Sequence, residues 1–515
     1  MISRTWSGAV TGIQAEIVEV QCDVTNGLPK FKIVGLPDKE VQESRERIRS
    51  AINNSGYKFP TSRITANLAP ADLKKRGVGL DLPIACTILK ASQQLNCGEL
   101  TDTLLIGELG LDGNLSPVEG ALPVATEARD HSNIESIVVP EGNAEEAAII
   151  ESLEVLPVKD LQEAVSLLNG DLSREGFDID RDNYFEERKN YHRSFGDVKG
   201  QEQAKRALTI AAAGNHNVLL SGPPGSGKSM LAKRVHTILP PLSFEEALSV
   251  TKIYSIVGEL TKDTPIITKR QVRAPHHTIS YAGMVGGGRS SPRPGEISLA
   301  HYGVLFLDEL PEFSKRVLET LRQPLENGNI TISRASTSLT YPADFTLIAA
   351  MNPCPCGYLG DPEQKCNCRP HDIRRYRKKI SGPFLDRIDL FVNLQRLTTE
   401  EMTEKNNGTA SHIIRESVKD ARAIQRKRFE ASGHWNGKMT VQQIREFCEL
   451  DTPASGIMEG ALSKFNFTTR SYHKMLKVSR TIADLASSTT IKPEHISEAI
   501  QYRSTRDKLL TIQGV

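Results

Sequence analysis

The sequence predicts an α/β protein that ends in an all-helical region, and three observations carry that prediction. Short apolar runs alternate with helical stretches through most of the chain; a glycine-rich eight-residue loop joins one such run to an apolar helix; and from Thr398 onward the pattern turns helical throughout.

At 515 residues the chain is too long for one core, and about 150 residues per domain predicts roughly three units. A hydrophobic content of 38% with 25% charged residues is ordinary for a globular protein, and no stretch approaches the length of a membrane span. The amino terminus, MISRTWSGAVTG, lacks the apolar core of a secretory signal, so the expectation is a cytoplasmic protein without a membrane anchor. A net charge of +1 gives no global reason to bind a polyanion, and any such surface must come from local clusters.

Taken in order, residues 1–170 mix apolar runs such as Ile17 to Val20 and Ile137 to Val139 with a helical stretch from Lys39 to Asn53, which reads as an α/β domain. Residues 171–191, DLSREGFDIDRDNYFEERKNY, are charged and poor in aliphatics, and read as a linker. Residues 192–396 carry the apolar runs VLLS, VLFLD and FTLIAA between helical segments, the pattern of a parallel sheet covered by helices. Residues 397–515 form the helical lid.

The loop Gly222, Pro223, Pro224, Gly225, Ser226, Gly227, Lys228, Ser229 follows the strand VLLS and precedes the helix predicted from Met230 to Leu239. That context is the one a phosphate-binding loop requires: glycines let backbone amides approach phosphate, Lys228 neutralises the β and γ phosphates, and Ser229 ligates magnesium. Further on, a buried-strand pattern ends in Asp308 and Glu309, where an α/β sheet places its ligand crevice. Asp308 suits the magnesium shell, and Glu309 suits activation of an attacking water. A third strand ends at Asn352, positioned to orient that water. Arg387, in SGPFLDRID, is a candidate to stabilise transition-state charge on a neighbouring subunit's nucleotide; a surface ion pair with Asp386 or Asp389 is the competing reading. Arg470, at the start of an amphipathic helix, is a candidate reporter of nucleotide state, against a solvated helix end.

With these motifs in place, the chain resembles the ComM and YifB family, the magnesium-chelatase-like branch of the AAA+ ATPases. The resemblance spans nearly the whole sequence and rests on FGDVKGQEQAKRAL, RAPHHTISYAGMVGGG, RPGEISLAHYGVLFLDELPEF, MNPCPCG and KISGPFLDRIDL. It implies Lys228, Ser229, Asp308 and Glu309 in the nucleotide site, Asn352 as first sensor, Arg387 as the trans arginine and Arg470 as second sensor. It also implies a helix-2 insertion within Ala274 to Pro294 and a hairpin before the first sensor within Asn329 to Tyr341, with Arg334 near its tip placed to grip DNA. The implied activity is that of a homohexameric, ATP- and magnesium-dependent motor. It would move single-stranded and branched DNA, helping incoming single strands integrate during natural transformation and recombination. The rival reading is a chelatase-type motor that remodels a protein partner.

The amino-terminal region, through RITANLAPADLKKRGVGLDLPIA and LLIGELGLDGNLSPVEGALPVA, resembles the Lon-protease-like domain. Such a protease needs a serine activated by a lysine. GVGLDLP lacks the serine and VEGALPVATEAR lacks the lysine, so the expectation is a non-proteolytic scaffold. Lys74, Lys75 and Arg76 form either a DNA-facing patch or a solvated loop.

Cys354, Cys356, Cys366 and Cys368 offer four thiolates in two C-x-C pairs. They suit one closed structural zinc site, with reduced unliganded thiols as the alternative. The stretch RPHDIRRYRKK from Arg369 to Lys379 combines basic side chains with Tyr376, a composition suited either to tracking a single strand while stacking a base or to a solvated face.

Overall fold

The structure is a computed structural model that describes residues 2–510 apart from 76, 78, 99, 181–183, 186–192, 262–263, 289–291, 334–337, 398–407, 431–432 and 466, with backbone alone for 507–510. It divides into two compact units: Met1–Arg188 with Phe244–Thr268, and Lys189–Ser243 with Lys269–Val515.

The first unit is built on a mixed seven-stranded sheet in the order Lys30–Val34, Arg63–Ala69, Gln14–Thr25, Ile2–Thr11, Thr103–Leu105, Ser136–Pro140, Glu154–Val158. The two longest strands, Ile2–Thr11 and Gln14–Thr25, pair antiparallel in a hairpin, and their side chains alternate in burial because one face meets the core. Ser136–Pro140 is buried along its whole length between parallel neighbours, as a strand covered on both faces must be. The helix Lys39–Asn54 starts at Asp38, whose carboxylate accepts from the Val41 amide, and buries Val41, Ser44, Ile48, Ala51 and Ile52 at helical spacing. The helix Phe244–Val257 groups with this unit, although its sequence lies in the stretch read as nucleotide-binding. Its Ser255 hydroxyl donates to the buried Glu146 carboxylate at 2.5 Å.

The second unit holds a five-stranded, wholly parallel sheet in the order Val272–Arg273, Val304–Leu307, Thr346–Met351, Val218–Ser221, Leu390–Asn393. The three strands read as VLLS, VLFL and TLIAAM are buried at every position, which is why their sequences are continuous apolar runs without alternation. Leu220, Phe306, Ile348 and Val392 pack with the alanine-rich helix Glu202–Gly214 in one core. Among the described residues five helices follow: Ser411–Phe429, Val441–Phe447, Thr452–Phe465, Thr469–Leu485 and Pro493–Leu510. The first of these is tied to the alanine-rich helix by Arg422, which donates to the Ala212 carbonyl at 3.0 and 2.6 Å. That helix's carbonyl end is thereby satisfied by a cation.

Between the sheet strands lie two small antiparallel pairs. Asn329–Ser333 pairs with Ser338–Pro342, and Gly286–Gly287, directly after the short helix Tyr281–Val285, pairs with Arg293–Pro294. Arg334 falls between the two strands of the first pair in sequence and lies outside the described residues. No described helix is long and apolar enough to cross a membrane.

Candidate functional site

Because the sheet is parallel, all its strands deliver their carboxyl ends to one edge, and three of them carry the predicted polar residues there. The loop Gly222–Gly227 turns after Val218–Ser221, and Gly225 and Gly227 take φ of +78° and +89°, a conformation costly for any residue with a Cβ. The helix after it is shorter than the sequence predicts: Lys228–Ala232 is followed by a single tight turn at Val235–Thr237. Leu231, Val235, Ile238 and Leu239 nevertheless stay on one buried face, so the apolar spacing is kept.

Lys228 is almost wholly buried and folds back onto its own loop, its ammonium donating to the carbonyls of Gly222 at 2.7 Å and Pro223 at 2.8 Å. Burial lowers its pKa to about 8, with nearby Asp308 acting in the opposite sense. The Ser229 hydroxyl donates to Asp308 Oδ2 at 2.6 Å, while Asp308 Oδ1 accepts the Glu309 amide at 3.0 Å. A hydroxyl and a carboxylate meeting in this way are two hard oxygen donors at one point, the chemistry magnesium selects. The loop and this pair therefore fit a nucleoside triphosphate with its magnesium ion. Glu309 takes φ of +52°, turning its carboxylate out of the sheet; its side chain is 57% exposed. Asn352 follows the central strand, whose last carbonyl, Met351, accepts the Gly222 amide at 3.3 Å, so one backbone bond ties the loop to the residue next to Asn352.

His277 belongs to this edge, a residue the sequence reading quoted within RAPHH without assigning a role. Its Nδ1 lies 3.3 Å from Glu309 Oε2, and its ring stands edge-on to Phe313. The available signal was a pair of adjacent histidines directly after an edge strand, too common a pattern to name a partner 32 positions away.

Arg387 and Arg470 lie at the other edge of the sheet. Arg387 precedes Leu390–Asn393 and is 8% exposed; it pairs with Glu326 and donates to the Pro383 carbonyl at 2.5 Å. The competing ion-pair reading had named Asp386 or Asp389, and neither is its partner. Arg470 is half-exposed, 3.9 Å from Asp386. Both arginines border a cavity of about 470 Å³ lined also by Asn215, Asn217 and Asp344, which sit at the amino ends of the strands. They are therefore separated from their own phosphate loop by the length of the strands.

Two further expectations meet corrections. Lys75 is 0% exposed and its ammonium hydrogen-bonds the Pro70 carbonyl, so the trio of Lys74, Lys75 and Arg76 does not present one basic face; Lys74 is exposed and Arg76 lies outside the described residues. Tyr376 is buried, with its hydroxyl on the backbone of Asn352, and has no face for a base to stack on. Within the same stretch Lys379 is engaged by Glu312 at 2.9 Å, while Arg374 and Arg375 remain exposed on the helix Pro370–Arg377. In the amino-terminal unit, GVGLDLP places Asp81 at the start of the helix Asp81–Ala91, fully buried and paired with Arg47 at 3.0 Å. Burial raises the Asp81 carboxyl to about 7 against the opposing pull of Arg47.

The four cysteines after Asn352 do come together. Their sulfurs all lie within 4.8 Å of one another, Cys354 buried and the other three half-buried.

Three family models match the chain: magnesium chelatase, subunit ChlI, over residues 194–402; subunit ChlI of Mg-chelatase over 20–143; and the magnesium chelatase subunit ChlI C-terminal model over 408–503. The chain is similar to the uncharacterized protein YifB of Escherichia coli, 42% identical over 514 residues and 99% of each chain. It is equally similar to the competence protein ComM of Haemophilus influenzae, 42% identical over 509 residues, 98% of this chain and 97% of that one. A shorter match, 30% identical over 191 residues, is to Lon protease 2 of Bacillus subtilis, covering 32% of this chain and 33% of that one.

Proposed function

The chain belongs to the ComM and YifB family of magnesium-chelatase-like proteins, and from that premise we propose that it is a hexameric ATPase that moves branched and single-stranded DNA, promoting the integration of single strands during natural transformation and homologous recombination. The observation that carries the reading is the division of the polar residues between the two edges of one sheet. Phosphate-binding groups gather at the carboxyl edge and arginines at the amino edge, so a complete site needs two copies of the chain.

In this reading the amides of Gly222–Gly227 and the Lys228 ammonium hold the phosphates, and Ser229 and Asp308 would hold a magnesium ion, which would supply neutralisation of phosphate charge. Lys228 gives up its bonds to the Gly222 and Pro223 carbonyls when phosphate oxygens replace them. Glu309 takes the proton of the attacking water, Asn352 orients that water, and His277 holds the Glu309 carboxylate in place. Arg387 of the adjacent copy exchanges Glu326 for the γ phosphate, and Arg470 beside it senses the same nucleotide. The pair Asn329–Ser333 and Ser338–Pro342 serves as the hairpin before the first sensor, with Arg334, which falls between them in sequence, as the candidate to grip the DNA backbone, and the helix-2 insertion falls within Ala274 to Pro294. The amino-terminal unit, 1–170 in sequence, acts as a Lon-like scaffold without proteolysis; a buried, Arg47-paired Asp81 within GVGLDLP supports that reading.

The test is ATP turnover with and without a four-way DNA junction, paired with gel migration of the labelled junction. The expected result is stimulated turnover and ATP-dependent junction movement, both lost in Lys228→Ala. Turnover indifferent to every form of DNA would instead favour a motor that remodels a protein partner.

A further inference from the structure

Residues 352–369 run without helix or strand, and Leu359 is their one aliphatic side chain besides the prolines. A segment of this length with so little apolar surface has no core of its own to fix it. Its cysteines converge instead. Cys354 Sγ lies 3.4 Å from Cys356 Sγ and 3.6 Å from Cys366 Sγ, and Cys356 Sγ lies 3.6 Å from Cys366 Sγ. These separations are far beyond a disulfide's roughly 2.05 Å. They fall close to the edge of a tetrahedron with zinc–sulfur bonds of about 2.3 Å, which works out at about 3.8 Å. A cage whose sulfurs all stand within 4.8 Å of one another takes a single ion and leaves no room for an iron–sulfur cluster.

The backbone also holds one of the sulfurs in place. The Cys356 amide donates to Cys368 Sγ at 3.4 Å, which fixes the direction of that sulfur as the surroundings of a ligating group do.

The same loop touches the nucleotide edge at three places. Gly357, with φ of +90°, packs against the phosphate loop so closely that a Cβ there would stand 2.6 Å from Pro224 Cδ. Arg377, on the helix that follows Cys368, donates to the Pro353 carbonyl at 3.2 and 3.1 Å, and the Tyr376 hydroxyl bonds the backbone of Asn352. Whatever closes the cysteine loop therefore also fixes the residue after the central strand and one wall of the phosphate loop.

We propose that Cys354, Cys356, Cys366 and Cys368 bind one structural zinc ion, and that this ion braces Asn352 and Pro224 for nucleotide binding. The first part stands independently of the motor reading, because it concerns only the thiols; the bracing rests on the nucleotide site. The site has four protein ligands and no open position, so the ion has no catalytic role.

The test is elemental analysis of the full-length protein purified without chelators, with thiol reactivity measured beside it. The expected result is about one zinc per chain and protection of these four thiols from an aromatic disulfide reagent until the metal is removed. Cobalt(II) added to the metal-free protein should give the ligand-field absorption of a tetrahedral thiolate site, a readout that does not depend on any variant folding. Cys366→Ser combined with Cys368→Ser should abolish both metal and spectrum. Metal content below a tenth of an equivalent, freely reactive thiols in the folded protein, or bound iron in place of zinc would each overturn the assignment. The bracing is read from affinity for a fluorescent ATP analogue in saturating magnesium: metal-free protein should bind roughly tenfold more weakly, and zinc should restore it. Unchanged affinity with zinc confirmed bound and then removed would leave a metal site and overturn the brace.

Discussion

The two edges of the five-stranded sheet handle buried charge in opposite ways. At the amino edge, Asp389 is mostly buried, and although burial alone would raise its pKa, the Lys474 ammonium at 2.6 Å holds the carboxyl below the ordinary range. Its other oxygen accepts the Asn217 amide at 2.8 Å. His216 in turn is kept neutral by burial, pushed down to about 4, and meets the Thr481 hydroxyl at 2.7 Å. Charge here is answered within the chain. At the carboxyl edge Lys228 has only backbone carbonyls and the loop serine for partners, and the Glu309 carboxylate is mostly exposed. A buried cation with no anion in hydrogen-bond contact is a place prepared for one, whereas a completed network fixes structure. Arg387 crosses this division: it sits at the structural edge, yet its one acidic partner, Glu326, is itself half-exposed.

The contrast breaks most visibly at Arg387. On the proposal that the arginine acts on a neighbour's nucleotide, Arg387→Ala should lower ATP turnover by about 10³-fold or more while leaving the melting temperature near wild type. A large loss of stability with normal turnover would return Arg387 to the structural network. Glu309→Gln should lower turnover by about 10²- to 10⁴-fold with nucleotide still bound, measured as single-turnover hydrolysis beside a binding titration. Asp389→Asn should do the reverse. Leaving Lys474 buried without its anion should cost about 3–5 kcal/mol of stability in denaturant unfolding, with per-molecule turnover little changed in whatever remains folded.

The smallest effect concerns pH. Burial pushes His216 and His301 down to about 4, against the opposing pull of Asp389 and Asp344, while an unfolded histidine titrates near 6.5. The unfolded chain therefore binds protons that the folded chain refuses. Stability from these groups is complete above about pH 6.5 and declines as pH falls towards 4, which should appear as a melting temperature that drops by a few degrees across that window. His216→Asn should flatten part of the slope.

How far the sequence was legible follows the range of the physics involved. The phosphate loop, Asp308, Glu309 and the buried strands are encoded by neighbours along the chain, in glycine spacing and apolar runs, and the structure brings Ser229 to Asp308 across 79 positions because the two parallel strands that flank Thr346–Met351 end at the same edge of the sheet. The four cysteines were legible for the same reason, lying within fifteen residues. Lys75 and Tyr376 were misread because both looked like members of exposed basic runs, and only the packing of distant carbonyls and backbone shows that each is buried. Glu326 as partner of Arg387, His277 as partner of Glu309 and Lys474 as partner of Asp389 are all set by the fold, and no local pattern announces them. The helix Phe244–Val257 shows the same limit at a larger scale, since its own pattern says helix but not which core receives it.

One measurement tests the shared site directly: ATP turnover of an equal mixture of Arg387→Ala and Glu309→Gln, each inactive alone. If arginine and base from different copies meet at one nucleotide, half the seams lack a faulty base and half of those receive an intact arginine, so random mixing in a ring should recover about a quarter of wild-type turnover. Activity that stays at the sum of the two separate variants would contradict the account, because every site would then be completed within a single chain.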